Sequence, residues 1–165
     1  MNIVIIGCGR VGAFLAGLLD EGGHAVTVVD LEKASFEHLP QSYKGNTLLG
    51  NGTDMDVLRQ AGIESAEAFI ALTQGDNRNL MAAQVAKEIF GVRRVIAKVN
   101  DPIRANLYRS QGITTFSRTS ILGTLLQAML DDDPEVGKVL LEKALAHERR
   151  LAGETPAGSP AKVSR

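Results

Sequence analysis

Three glycines and one carboxylate give this chain its clearest chemistry. In Asn2-Ile3-Val4-Ile5-Ile6-Gly7-Cys8-Gly9-Arg10-Val11-Gly12, a short apolar run enters a Gly-x-Gly-x-x-Gly turn and leaves it as a helical pattern. Gly7 and Gly9 let backbone amides come close to a pair of phosphates, and Gly12 lets the helix pack against the strand. The helix start turns its unpaired N–H groups on the same anion. Arg10 sits inside the turn, where a guanidinium reaches a phosphate; its other reading is a solvated surface arginine. Asp30 ends a second apolar run about twenty residues on, as a dinucleotide site requires. A carboxylate there accepts both hydroxyls of an adenosine ribose and repels a 2′-phosphate, which disfavours NADP. The same aspartate could instead cap a helix over Glu32–Leu39.

These residues need elements to hold them. Strand candidates are Asn2–Ile6, Ala25–Asp30, Thr47–Leu49, Ala68–Leu72, Arg94–Val99 and Thr114–Phe116. Helical patterns lie between them near Val11–Glu21, Glu32–Leu39, Asp54–Ala61, Asn77–Phe90 and Pro102–Gln111. Strict βα alternation calls for an α/β fold: a Rossmann-like, doubly wound parallel sheet of about six strands. Strands built of Ile, Val, Ala and Leu fit burial on both faces. Asp54 and Asp76 read as caps of the helices they precede, closed by Gly62 and Gly91, and Pro102 suits a first helical position.

Ligands of such a sheet sit beyond the carboxyl ends of its strands, so the loops leaving those ends are the places to read. After the third strand comes Gly50-Asn51-Gly52-Thr53-Asp54. Gly50 and Gly52 allow a tight loop beside an adenine, and Asn51 or Thr53 can hydrogen-bond the base edge; plain turn chemistry is the equal alternative. After the fourth comes Thr73-Gln74-Gly75-Asp76, whose Thr73 hydroxyl and amides face the phosphate side. After the fifth, Lys98 is expected to point into the cleft, or else to snorkel. The candidate cofactor-binding residues are therefore Gly7, Cys8, Gly9, Arg10, Val11, Gly12, Asp30, Asn51, Gly52, Thr53, Thr73, Gln74 and Lys98. None of the three histidines, His24, His38 and His147, stands at a strand carboxyl end where a catalytic acid or base is needed. No metal-ligand spacing is evident.

The bulk numbers are those of one globular domain with an appendage: 165 residues, 44% hydrophobic, 22% charged and a formal net charge of −1. That balance argues against a nucleic-acid surface. The single cysteine, Cys8, cannot form an internal disulfide and reads as a small residue of the glycine turn in a cytosolic protein. No apolar run reaches bilayer length, and Met1 leads straight into a strand, leaving no room for a signal peptide; membrane association is expected through a protein partner. Residues 1–118 are expected to form the nucleotide-binding domain. A helical segment over 119–152 follows, and a Gly/Pro/Ser-rich tail over 153–165 is expected to be disordered. Within the segment, Ile121, Leu122, Leu125, Leu126, Met129 and Leu130 cover a wide helical face, suited to its own sheet or to a second copy. Pro134 opens a further helix to about Leu151.

The pattern resembles the regulator-of-potassium-conductance (RCK, or KTN) domain, specifically the N-terminal domain of Trk/Ktr potassium-uptake regulators. The carrying residues are the glycine turn with its arginine, Val28-Val29-Asp30, Gly50-Asn51-Gly52-Thr53-Asp54, Ala71-Leu72-Thr73, Asp76 with Asn79-Leu80, and Ala97-Lys98-Val99-Asn100-Asp101-Pro102. The resemblance implies a cytoplasmic regulatory subunit, peripheral to the membrane, that binds NAD(H) or an adenine nucleotide (ATP, ADP or AMP) and gates a membrane K⁺ transport subunit. It implies a homodimer assembling into a tetramer or octameric ring, with ligand contacts at Gly7 to Val11, Asp30, Thr73, Gln74 and Lys98. Lys98 stands where relatives more often carry arginine, and Asn51 where they often carry aspartate. Relatives commonly continue into a second, β-rich ligand-binding domain; here only helical sequence and a tail follow, as in a shortened chain or one of a pair of short regulatory subunits. The Ser120–Leu130 stretch resembles the crossover helix that relatives exchange between protomers. A competing reading from the opening motif alone is a small NAD-dependent oxidoreductase or a fragment of one.

Overall fold

A computed structural model describes residues 1–130. The chain divides into two compact units, Met1–Thr119 and Ser120–Arg165. The first is a six-stranded, wholly parallel sheet: β1 (Asn2–Ile6), β2 (Ala25–Asp30), β3 (Asn46–Leu49), β4 (Ala68–Ala71), β5 (Arg94–Lys98) and β6 (Thr114–Phe116). Their spatial order is β3-β2-β1-β4-β5-β6. The order reverses beside β1, which creates the switch-point crevice typical of a Rossmann-like sheet.

Each strand follows from its residues. Ile3 to Ile6 and Ala68 to Ala71 are buried throughout, so both faces of β1 and β4 need cover. One face receives α2 (Met55–Gln60), α3 (Asp76–Gln84) and α4 (Pro102–Ser110), whose Leu58, Leu80, Ala83 and Ala105 join Val4, Ile6, Phe69, Ala71, Val95 and Ala97 in one core. The other face receives α1 (Arg10–Glu21), whose Ala13 and Ala16 pack with Ile3, Ile5, Val26, Val28 and Ile70. Alanines at the helix contacts let the helices lie close to the sheet.

Several boundaries differ from the sequence expectations for local reasons. The segment expected as a helix over Glu32–Leu39 is a 3-10 helix, Lys33–His38, too short to bury a helical stripe. The helix expected over Asn77–Phe90 is α-helical to Gln84 and continues as a π-helical turn, Val85–Ile89. Asp76 is the first residue of α3 rather than its cap: Gly75 takes the cap position without a side-chain hydrogen bond.

The helix α5 (Arg118–Leu130) buries none of its residues; Ile121, Leu122, Leu126, Met129 and Leu130 are all exposed. The helix expected from Pro134 to Leu151 and the tail over 153–165 lie outside the described residues. No helix among the described residues is long and apolar enough to cross a membrane.

Candidate nucleotide site

Register brings the site together. Ile6 pairs with Val29 and with Ala71, Ala71 with Ala97, and Asp30 with Leu49. The residues just beyond these pairs, Gly7, Leu72, Lys98 and Gly50, therefore leave the sheet along one edge. The pairing extends past the strands: Gly7 donates to Val29 O at 2.8 Å, Leu72 to Ile6 O at 2.8 Å and Gly50 to Asp30 O at 2.9 Å.

The glycine turn is tightly specified. Gly7 has φ +96°, a left-handed value that side chains rarely adopt, and a Cβ there would lie 2.8 Å from the Leu72 carbonyl carbon. A Cβ on Gly12 would lie 2.0 Å from Gly7 O; its absence lets α1 close on the strand end. At Gly9 a Cβ would meet nothing within 4 Å, because this residue faces the open crevice.

Helix starts along this edge differ in a telling way. Asp54 caps α2 by accepting from Asp56 N at 2.8 Å, and Asp101 caps α4 by accepting from Ile103 N at 2.9 Å and Arg104 N at 3.1 Å. The cap of α1, Gly9, has no side chain to offer, and the first turn holds no acid. Its N–H groups are left for an external anion, which the helix dipole also favours.

Asp30 supports the turn from below. Its Oδ2 accepts from Cys8 N at 2.6 Å and its Oδ1 from Glu32 N at 2.9 Å. Each carboxylate oxygen can accept more than one hydrogen bond, so capacity remains for hydroxyl donors. The alternative reading of Asp30, as the cap of a helix over Glu32–Leu39, does not hold: the 3-10 helix starts at Lys33, its cap position is Glu32, and no side chain caps it. The Cys8 side chain is fully buried; burial, with Asp30 nearby, pushes its thiol up to about 11, which keeps it protonated and unreactive at neutral pH.

A crevice of about 510 Å³ opens at this edge, lined by Gly7, Gly9, Asp30, Glu32, Asn51, Gly52, Thr73, Gln74 and Arg78 among others. That volume suits a nucleotide-sized ligand. A hollow of about 600 Å³ lies near the amino ends of β1 and β2, with Asn2, Asp20, Ala25 and Lys44 in its wall; it is at the wrong edge for the turn and the helix start to act on a ligand.

Of the residues singled out from sequence, Gly7, Gly9, Asp30, Asn51, Gly52, Thr73 and Gln74 line the crevice together. Cys8 and Gly12 are buried beneath it. Arg10 and Val11 are exposed on the first turn of α1. Thr53 turns to its own loop, its hydroxyl donating to Asn51 Oδ1 at 2.9 Å. Lys98 is half-buried at the end of β5; burial and the Arg118 charge push its ammonium down in pKa, and Asp76 opposes them.

Two residues at this edge were given no role of their own from sequence. One is Arg78, the cation in the crevice lining. Its position on the first turn of α3, beside the Thr73-Gln74 loop, was the available signal. The other is Asn79, fully buried. Its Oδ1 accepts from Thr73 N at 2.9 Å and Thr73 Oγ1 at 2.7 Å. Its Nδ2 donates to Thr73 O at 3.1 Å and Lys98 O at 2.9 Å. Every side-chain hydrogen-bonding position is filled. The Thr73 hydroxyl, expected to face a phosphate, spends its proton on Asn79 and offers a ligand only its lone pairs. Asp76 Oδ2 similarly accepts from Asn100 N at 2.9 Å and Asp101 N at 3.0 Å. The loops after β4 and β5 are thereby tied to the start of α3.

The comparisons with known proteins place the chain in a family. The family model for the TrkA-N domain matches residues 3–118. The Trk system potassium uptake protein TrkA of Streptomyces coelicolor is 51% identical over 115 residues, covering 70% of this chain and 52% of that protein. The chain thus spans about half the length of this curated relative. The TrkA-N domain of the Escherichia coli inner membrane protein ybaL superposes with a TM-score of 0.70 at 16% identity, covering 78% of this chain and 96% of that one; at that identity it speaks for the fold. GsuK bound to ADP superposes with a TM-score of 0.67 at 25% identity, covering 80% of this chain and 34% of that one. The GsuK channel bound to NAD gives 0.63 at 25% identity, over 74% and 22% of the two chains.

Proposed function

The chain belongs to the TrkA-N domain family, and from that premise we propose that it is a nucleotide-sensing regulatory domain of a membrane potassium-transport system. Its ligand is NAD(H) or an adenine nucleotide, held with the ribose hydroxyls on Asp30, the first phosphate on the Gly7–Gly9 turn and the adenine beside Asn51 and Gly52. The observation that carries this reading is the contrast among helix starts. Aspartates cap α2 and α4, and α3, though uncapped, carries Asp76 in its first turn, whereas α1 has neither a capping side chain nor a first-turn acid and lies directly above the Asp30-supported turn.

Regulation requires that the ligand bind two states of the assembly unequally, since a ligand shifts an equilibrium only by its differential affinity. We place the second state in the arrangement of protomers. The segment over 119–152 would serve as the dimerisation element, a role supported by the five exposed large apolar residues on α5. Dimers would assemble into a tetramer or ring at the cytoplasmic face of the membrane, held there by the potassium transport subunit, with a second short regulatory subunit as a further partner. The same crevice serves an oxidoreductase poorly. Among the described residues His24 contacts the N-terminal amine at 3.3 Å and His38 contacts Ser35 O at 2.9 Å, neither lining the crevice.

Small-angle scattering of the chain with and without saturating ADP or NADH tests the switching role. The expected result is a dimer or larger assembly whose scattering profile changes on addition of at least one of them. A monomer, or an assembly with one profile throughout, would sink it.

A further inference from the structure

We propose that Arg78 is a specificity-determining residue that binds the second phosphate of the ligand and so separates adenosine diphosphates from AMP. The proposal rests on the nucleotide reading above and adds a residue and a selectivity to it.

The crevice runs along the sheet edge, across β2, β1 and β4 in their spatial order. Asp30 and Glu32 stand at the β2 end, the Gly7–Gly9 turn at β1, and Thr73, Gln74 and Arg78 at the β4 end. Its charge is therefore polar along its length: two carboxylates at one end and a guanidinium at the other. Carboxylates suit hydroxyl donors and repel phosphates, so the ribose belongs at the β2 end. With the first phosphate over the α1 start, the next group along the chain lies on the β4 side, where Arg78 is.

The Arg78 side chain is exposed and has no hydrogen-bond or ion-pair partner among the described residues. Its neighbours in the helical layer are differently placed: Arg104 is held by Asn77 and Asp101, and Arg109 by Thr115 and Asn106. A guanidinium without an internal partner keeps all five donors for a ligand, and its fork matches two oxygens of one phosphate. Asn79, the next residue, is locked by four hydrogen bonds, so the backbone that carries Arg78 is fixed with respect to the Thr73 loop. The cations favoured from sequence, Arg10 and Lys98, are not in the crevice lining. The second phosphate is common to free ADP and to the ADP half of NAD, and the test separates the two.

Calorimetric titration of the full chain with AMP, ADP and NAD⁺ would be compared for wild type, Arg78→Gln and Arg78→Lys, with thermal melts as a control on folding. In the wild type, ADP is expected to bind at least about tenfold more tightly than AMP, the scale of a charge-assisted hydrogen bond to phosphate. Arg78→Gln should bring that ratio down to within about threefold of one, leaving AMP affinity unchanged, and Arg78→Lys should fall between. Parallel weakening of NAD⁺ would support a contact with an internal phosphate as well; NAD⁺ spared would support a contact with a terminal one. An ADP-to-AMP ratio unchanged by Arg78→Gln, or equal weakening of AMP and ADP, would overturn the role of Arg78 while leaving the nucleotide site standing. No binding of any of the three to wild type at millimolar concentration would overturn the nucleotide reading, and Arg78's role with it.

Discussion

Asn79 is the residue on which the geometry of the crevice most depends. It touches nothing outside the protein, yet its four hydrogen bonds join the loop after β4 to the end of β5. A buried amide with every position satisfied is favourable as a set and costly to break, because each orphaned partner keeps its own desolvation penalty. Asn79→Leu would leave Thr73 N, its hydroxyl and the Lys98 carbonyl without their partner. The expected loss is on the order of 3 kcal/mol, read as a lower urea midpoint at unchanged slope. A midpoint within error of wild type would contradict the account of this network. The residue scale is also where sequence reasoning reached least far. Asp76 reads locally as a cap, but the amides it meets belong to Asn100 and Asp101, which only the adjacency of β4 and β5 brings near. The place of Asp30, at the end of β2 and against the glycine turn, was legible because the βαβ unit fixes that spacing.

At the scale of elements, α1 and its entry turn separate what the fold needs from what the proposed nucleotide would need. Gly7 and Gly12 are steric requirements of the backbone: one takes a left-handed conformation, the other sits against the Gly7 carbonyl. Gly9 has neither constraint; its φ is −71° and a Cβ would meet nothing within 4 Å. Gly9→Ala should therefore fold with stability within about 1 kcal/mol of wild type and yet bind ADP at least about tenfold more weakly, because the methyl group occupies the approach of the phosphate. Loss of folding would place Gly9 with Gly7 and Gly12; undiminished ADP binding would move the phosphate elsewhere. Sequence foretold these elements well because their strands are runs such as Ala68-Phe69-Ile70-Ala71, apolar on both faces and bounded by turn residues. It foretold less well the 3-10 turns at Lys33–His38 and the π-helical turn at Val85–Ile89, where apolar spacing does not distinguish one helical hydrogen-bonding pattern from another.

For the whole molecule, the sheet order and register do most of the work. They set the glycine turn, Asp30, the Asn51 loop and the Thr73 loop along one edge, so that residues far apart in the chain line one crevice. The same topology left Arg78 out of the sequence reading. A cation on the first turn of α3 meets the crevice only because β4 lies directly beside β1. The account's central claim is that this edge binds an adenine nucleotide through its ribose and phosphates. Calorimetry of the purified chain with ADP, NADH and NADP⁺, alongside Asp30→Ala, tests it most directly. The account predicts sub-millimolar binding of ADP or NADH, no binding of NADP⁺, whose 2′-phosphate would meet the Asp30 carboxylate, and loss of binding in Asp30→Ala. Absence of saturable heat with ADP and NADH, or affinity for them that survives Asp30→Ala, would contradict it.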